Sequence, residues 1–471
     1  MTARAERQCR ESTRPLNHYR RMAAAALGTS VLARLAWVLF LPNGMNFVDL
    51  HVYVDGSANF GSGHLFDYTD SSKTPDFPLP FTYPPFAALV FYPLHFLPFS
   101  VVAIGWLLAT VAALCGVVWL ALELMVGTAA MREPNWRTAA LAWTAVGMWL
   151  EPVRSTFDYG QVNVFLVLLA MVAVRSGVWW ISGTLVGVAA GIKLTPAVTG
   201  LYFAARKRWI TAIWSAAVFF GTIGLTYLLT PGETNKYFRE LLGDAHRIGP
   251  VGSSSNQSLR GVLSRFVGHD VVSGPLWIVA ALVTAVLAFF AWRALASDDR
   301  LGTLIIVQLF GLMVSPISWS HHWIWLLPVI LWLVYGPLRQ AAGARVLAGY
   351  WLVVTLIGVP WVLGFFQDSI WTISRPGVLS WLGAVDAIGV LALYIWIIRS
   401  GRLRNGRPVD RSSEQQPIGR CNNCYDGVNR APNIRGGRDI RLRGYDFRGP
   451  QPALASRELR SVIHPTRKFV L

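Results

Sequence analysis

Two imidazoles, three hydroxyls and two indoles fall within nine residues in Ser315-Pro316-Ile317-Ser318-Trp319-Ser320-His321-His322-Trp323. Adjacent histidines on a helix project about 100° apart, so one metal ion cannot easily take both, and no third ligand is spaced to complete a site. A phosphate or sugar contact is the more economical use: imidazole or imidazolium N–H groups complement phosphoryl oxygens, and indole faces stack on sugar rings or line an acyl groove. The same residues would equally suit a pair of interfacial histidines in an aromatic belt. Asp49 stands in Phe47-Val48-Asp49-Leu50-His51-Val52-Tyr53. Apolar neighbours desolvate such an acid and raise its pKa, which fits a general base; a helix cap or a salt-bridged loop acid is the alternative.

Four further stretches carry polar groups. Phe81-Thr82-Tyr83-Pro84-Pro85-Phe86 places Tyr83 at the start of an apolar run and opens a helix with proline, whose missing N–H costs nothing there. Glu151, Arg154, Asp158, Gln161 and Asn163 lie within thirteen residues, as mutually neutralising pairs or as the lining of a polar cavity. Lys193, in Gly191-Ile192-Lys193-Leu194-Thr195-Pro196, could meet a phosphate or snorkel. The run Gly252-Ser253-Ser254-Ser255-Asn256-Gln257-Ser258-Leu259-Arg260 could hold the hydroxyls of a polar headgroup, or serve as a flexible linker.

The elements that must position these groups belong in lipid. Of 471 residues, 54% are hydrophobic and only 14% charged, with 21 Trp and a mean hydropathy of +0.43, whereas a soluble domain carries about 25% charged residues. A soluble enzyme, a disordered chain and a nucleic-acid binder are therefore poor readings. A span takes about 20 apolar residues, and such runs occur near 22–42, 83–98, 100–126, 138–156, 160–176, 178–205, 209–229, 274–296, 302–317, 323–338, 346–366 and 380–398. The expectation is an all-α polytopic membrane protein with about twelve transmembrane helices, the run 178–205 being broken by Lys193 and Pro196.

The net charge of +17 orients it. Residues 1–21 hold six Lys/Arg against two acids and residues 399–471 hold sixteen against six, so the body between contributes little. The positive-inside rule then puts both termini in the cytoplasm, together with Arg206, Lys207 and Arg208, and puts the acidic stretch 43–82 outside. Expected boundaries are a basic cytoplasmic segment 1–21, a transmembrane catalytic domain 22–399 with outer loops 43–82, 230–273 and 318–322, and a basic, disordered cytoplasmic tail 400–471. The first apolar run reads as a retained anchor rather than a cleaved signal. Cys9, Cys115, Cys421 and Cys424 make no disulfide framework, and the lone Cys421-x-x-Cys424 lacks further zinc ligands.

In order along residues 20–400, Val48-Asp49-Leu50, Pro80-Phe81-Thr82-Tyr83-Pro84-Pro85, Leu150-Glu151-Pro152-Val153-Arg154-Ser155, Tyr159-Gly160-Gln161-Val162-Asn163, Gly191 to Pro196, Asn256-Gln257-Ser258 and Ser315 to His322 resemble the actinobacterial polyprenyl-phosphomannose-dependent α-1,2-mannosyltransferases of the GT-C superfamily, specifically the type acting on phosphatidylinositol mannosides. The resemblance implies a GT-C fold with an extracytoplasmic active site at the plasma membrane. It implies transfer of mannose from polyprenyl-phosphate-mannose to the 2-hydroxyl of a mannosyl residue of a phosphatidylinositol mannoside, with inversion, with no metal or other cofactor, and with membrane lipids but no nucleic acid as partners. Asp49 maps onto the family's first-loop acid as general base. His322 and His321 would hold the departing phosphate with Lys193 or Arg260, while Tyr83, Asn256, Gln257, Trp319 and Trp323 would contact substrate, Trp325 also lining the lipid groove. Transfer to lipomannan or lipoarabinomannan is the alternative within the enzyme class. A glycolipid transporter or flippase, or a scaffold, is the alternative outside it.

Overall fold

The computed structural model describes residues 3–40, 46–72, 74, 77–367, 369, 371, 373 and 377–405, with side chains placed from residue 17 to residue 401. Cys421, Cys424 and nearly all of the basic tail lie outside the described residues, as do the side chains of the arginines before residue 17. Among the described residues the secondary structure is helical, apart from one two-residue antiparallel ladder, Thr69–Asp70 with Leu79–Pro80, inside the first expected outer loop, and an isolated antiparallel bridge between Asn256 and Trp319.

Among the described residues four helices are each long and apolar enough to cross a bilayer: Asn17–Phe40, Phe99–Ala130, Trp209–Leu229 and Pro275–Ala294, of 24, 32, 21 and 20 residues. On Trp209–Leu229 and Pro275–Ala294 large apolar side chains such as Ile210, Ile213, Phe220, Leu228, Leu282, Val283 and Phe289 stay exposed on the surface of the fold. Contiguous apolar faces of this kind suit hydrocarbon rather than water. The protein is thus a multi-pass helical membrane protein.

Every expected span falls on helix, yet several are shorter or more broken than the apolar runs suggest. The run 83–98 forms Pro85–Phe91 and a tighter 3₁₀ turn, Tyr92–Phe96. The run 138–156 divides into Pro134–Gly147 and Glu151–Tyr159, and the latter bends by 119° into Asn163–Arg175. The run 178–205 stops at Ile192 and resumes as Thr195–Val198 and Thr199–Ala205. The N-terminal helix begins at Ala3, so the basic segment expected at 1–21 and the first apolar run share one helix, and the last helix, Val385–Asn405, passes the expected end of the body.

The physical reason is common to these breaks: hydropathy cannot report where a backbone departs from helix, and each departure places a polar group. The 119° bend turns on Gly160, in the left-handed region at φ +71, where a Cβ would come within 2.6 Å of Leu50 Cβ. Only glycine adopts this conformation and permits this approach without strain. At the bend Asp158 O accepts the backbone N–H of Phe47 at 2.9 Å, and Asp158 Oδ1 accepts from Arg34 Nη1 at 3.0 Å. The bend therefore seats the short helix Val48–His51 and ties it to Asn17–Phe40. The charges at 151–158 do not simply neutralise one another: Glu151 accepts hydroxyls of Ser155 and Ser320 at 2.7 and 2.8 Å, and Arg154 lies over the Trp361 ring.

Candidate active site

The breaks at Gly160 and at Lys193 meet at one cavity of about 480 Å³, lined among others by Asp49, Tyr83, Tyr159, Gln161, Lys193, Arg247, Trp319, His321 and His322. Asp49 comes from the helix seated by the Gly160 bend. Burial raises its carboxyl to about 6, against the opposing pull of a hydrogen bond from Gln161 and the charge of Lys193. Gln161 Oε1 also accepts from Tyr53 Oη at 3.2 Å, and Tyr53 Oη and Tyr83 Oη share a hydrogen bond of 2.9 Å. A carboxyl with a pKa near neutrality, oriented by an amide, is equipped to accept a proton from a hydroxyl.

Lys193 follows the last residue of its helix, at an extended backbone position that breaks the apolar run. Its ammonium donates to Asn163 Oδ1 at 2.9 Å and meets His322 Nε2 at 3.2 Å, and it lies 5.4 Å from the centre of the Tyr83 ring. An ammonium has only donors, so His322 Nε2 is the acceptor and the proton of the neutral ring is on Nδ1. Both histidines, in the connection between two expected spans, are held well below the usual histidine range, by burial first and by Lys193 second. That direction favours the neutral rings over imidazolium. His321 Nε2 and His322 Nδ1 are buried and have no hydrogen-bond partner among the described residues. Orphaned donors of this kind at a cavity wall are available to a phosphoryl or sugar oxygen. The His321 backbone is fixed through its carbonyl by Asn163 Nδ2 at 3.0 Å, and its ring packs edge-on to Tyr159.

Not every residue expected in the site reaches it. Asn256 and Gln257 are fully buried and consumed by local structure: Asn256 donates to Val251 O and accepts the N–H groups of Ser258 and Ser318, and Gln257 donates to Ser254 O and Gly383 O. With the backbone N–H of Gln257 donated to Ser318 O, they clamp the loop 252–258 to the segment 316–319, so the run is no loose linker, and Ser253 and Ser255 border a smaller cavity beside His321. Arg260 forks onto Asp270 at 2.9 and 2.7 Å and does not line the cavity. Trp323 is wholly buried, its indole N–H directed to Ser318 O, and Trp325 borders only a narrow fissure of about 40 Å³ behind His322. Trp319 alone of the three tryptophans lines the main cavity, packed so close to Gly249 that a Cβ there would lie 2.6 Å from the ring. Conversely, Gln161 and Asn163 were legible only as members of a polar motif, and Arg247, one of several cations in the loop 230–273, carried no distinguishing signal. Among the described residues no group of His, Cys, Asp and Glu could hold a metal ion.

Residues 81–316, which include Tyr83, Gln161, Lys193 and Arg247 of the cavity but not Asp49, His321 or His322, match the model of glycosyltransferase family 87. The chain belongs to glycosyltransferase family 87. Its relatives include the polyprenol-phosphate-mannose-dependent alpha-(1-2)-phosphatidylinositol pentamannoside mannosyltransferase of Mycolicibacterium smegmatis, 56% identical over 80% of this chain and 91% of that protein. The enzyme of the same name from Mycobacterium tuberculosis is 52% identical over 85% and 92%. A second M. smegmatis enzyme, the polyprenol-phosphate-mannose-dependent alpha-(1-2)-phosphatidylinositol mannoside mannosyltransferase, is 34% identical over 60% of this chain and 69% of its own length. No solved structure gives a significant match. Family 87 membership makes the protein a glycosyltransferase and decides against a transporter, a flippase or a scaffold.

Proposed function

We propose that the protein transfers mannose from polyprenyl-phosphate-mannose to the 2-hydroxyl of a mannosyl residue of a phosphatidylinositol mannoside, the pentamannoside being the acceptor in the names of two relatives more than half identical to it. The observation that carries the chemistry is the convergence of Asp49, Lys193, His321 and His322 on one cavity. Asp49 takes the proton of the acceptor hydroxyl as that oxygen bonds to the anomeric carbon. The bond from that carbon to the phosphate oxygen breaks on the opposite face, so configuration inverts and the electron pair leaves on polyprenyl phosphate. Lys193 and the neutral histidines stabilise the departing oxygen with N–H donors, where charge develops. A sugar on a lipid monophosphate already carries its leaving group, so the reaction calls for a base and phosphate donors rather than a metal. Lipid substrates and membrane lipids are the partners this chemistry requires; nucleic acid has no part in it.

The site belongs, in this reading, to the outer face of the plasma membrane, with about twelve spans in residues 22–399 and both basic ends in the cytoplasm. The test is mannose transfer by purified full-length protein from synthetic polyprenyl-phosphate-mannose, with linkage and mass analysis of the product on phosphatidylinositol mannoside and on lipomannan. Asp49→Asn should lower turnover by about 10²- to 10⁴-fold, the usual contribution of a general base, with thermal unfolding unchanged. Near-normal turnover by Asp49→Asn would sink the base assignment, and a lipomannan product would replace the acceptor.

A further inference from the structure

The mechanism leaves one cation of the cavity unused. Arg247 lines it, half-buried, with Nη2 donating to Phe81 O at 2.8 Å and Phe66 O at 3.4 Å and with the guanidinium 5.2 Å from the centre of the Phe66 ring. One edge of the group is thus fixed by backbone and aromatic contacts. Among the described residues no carboxylate comes within ion-pairing distance of it. The acids that act on it electrostatically are otherwise engaged: Asp244 accepts the backbone N–H groups of His246 and Arg247, and Asp67 binds Lys236 and His64.

Arg247 is held to the carbonyl of Phe81, two residues before Tyr83, whose ring receives Lys193. Both cations are therefore anchored to the same three-residue segment. Lys193 has its ammonium committed to Asn163 and His322 and lies close enough to Asp49 to offset that charge, which leaves Arg247 as the cation whose charge is least answered. A planar guanidinium with donors to spare suits a phosphate oxygen better than a sugar hydroxyl, because it offers charge and a fork together. Each lipid of the proposed reaction carries one such phosphate. We propose that Arg247 binds the phosphate of a lipid substrate in this cavity. This inference rests on the proposed reaction for the identity of the lipid, whereas the anion site itself is testable without turnover.

Wild type, Arg247→Gln and Arg247→Lys, each as purified full chain, would be titrated by thermal shift with farnesyl phosphate, with farnesol and with phosphatidylinositol. A ligand that binds the folded state raises its unfolding temperature in proportion to occupancy. For Arg247→Gln, the expected result is at least a tenfold weaker response to one of the two phosphate lipids, no change with farnesol, and partial recovery in Arg247→Lys. Loss confined to farnesyl phosphate, with a raised donor KM, identifies the donor phosphate; loss confined to phosphatidylinositol, with a raised acceptor KM, identifies the acceptor. Phosphate responses within twofold of wild type overturn the proposal, including the case where both variants merely unfold earlier because Phe66 and Phe81 lose their tether. A wild type that binds farnesyl phosphate through Arg247 yet transfers no mannose would reject the proposed reaction and keep the anion site.

Discussion

As the proposed base, Asp49 has its working range set by burial, which favours the neutral carboxyl, against a lysine beside it, which favours the ionised carboxylate. Burial wins: the carboxyl stands at about 6 rather than at the usual 3.8. A base must be deprotonated to act, so kcat/KM should be low at pH 5, rise through an apparent pKa near 6 and level off by pH 7, a limb that titration of transfer activity will show. Lys193→Gln removes the charge that lowers the pKa, so the same limb should move to higher pH while the plateau falls; a limb that stays in place would separate Lys193 from the base. The residues named here stand out in sequence because acids, lysines and histidines are anomalous in apolar runs. Asn256, Gln257 and Arg260 stood out as a polar loop run, and in the fold their side chains are engaged by backbone groups and by Asp270. A sequence displays donors and charges but not the partners that consume them, and Asp270, ten residues from Arg260, was the partner that mattered. Arg260→Ala should consequently lower the unfolding temperature of the purified protein and leave kcat of the folded fraction within about twofold, since breaking a half-buried charged hydrogen bond costs about 1.5–3 kcal/mol.

At the scale of elements the site is a property of interruptions. Tyr159, Gln161 and Asn163 flank one glycine, and through them the bend touches His321, Asp49 and Lys193 in turn. Helical character was legible over nearly every apolar run, because about twenty consecutive apolar residues leave the backbone no better solution in lipid. The 119° turn at Gly160 was not: hydropathy shows a gap between the runs ending at 156 and starting at 160 but not its angle, and the left-handed backbone with Leu50 packed against it explains the glycine. Gly160→Ala is therefore a sharp test of the bend as a positioning device. A residue forced into the left-handed region costs about 1–3 kcal/mol, and the new Cβ would push on the helix that carries Asp49. Activity should fall by more than the lost folded fraction, as measured by thermal unfolding beside transfer assays; activity that merely tracks folded protein would reduce the bend to a structural role.

For the whole molecule, the net charge of +17 bears on orientation rather than on substrate. Basic residues at both ends and at Arg206–Arg208, against an acidic first loop, are the asymmetry by which a multi-pass chain is sided. The fold adds a constraint that charge alone does not supply. Asp49, Lys193, His322 and Arg247 come from four separate parts of the chain and meet in one cavity, so every segment reaching that cavity must lie toward the same face. Ser71, exposed in the first loop, and Lys207, exposed beside the break at 206–208, then belong on opposite sides. With the four native cysteines replaced by serine, Ser71→Cys should react with a membrane-impermeant maleimide in intact cells, and Lys207→Cys only after permeabilisation. Labelling of both in intact cells would mean that the basic turn lies on the same side as the cavity, and the charge rule would then have mis-sided this chain.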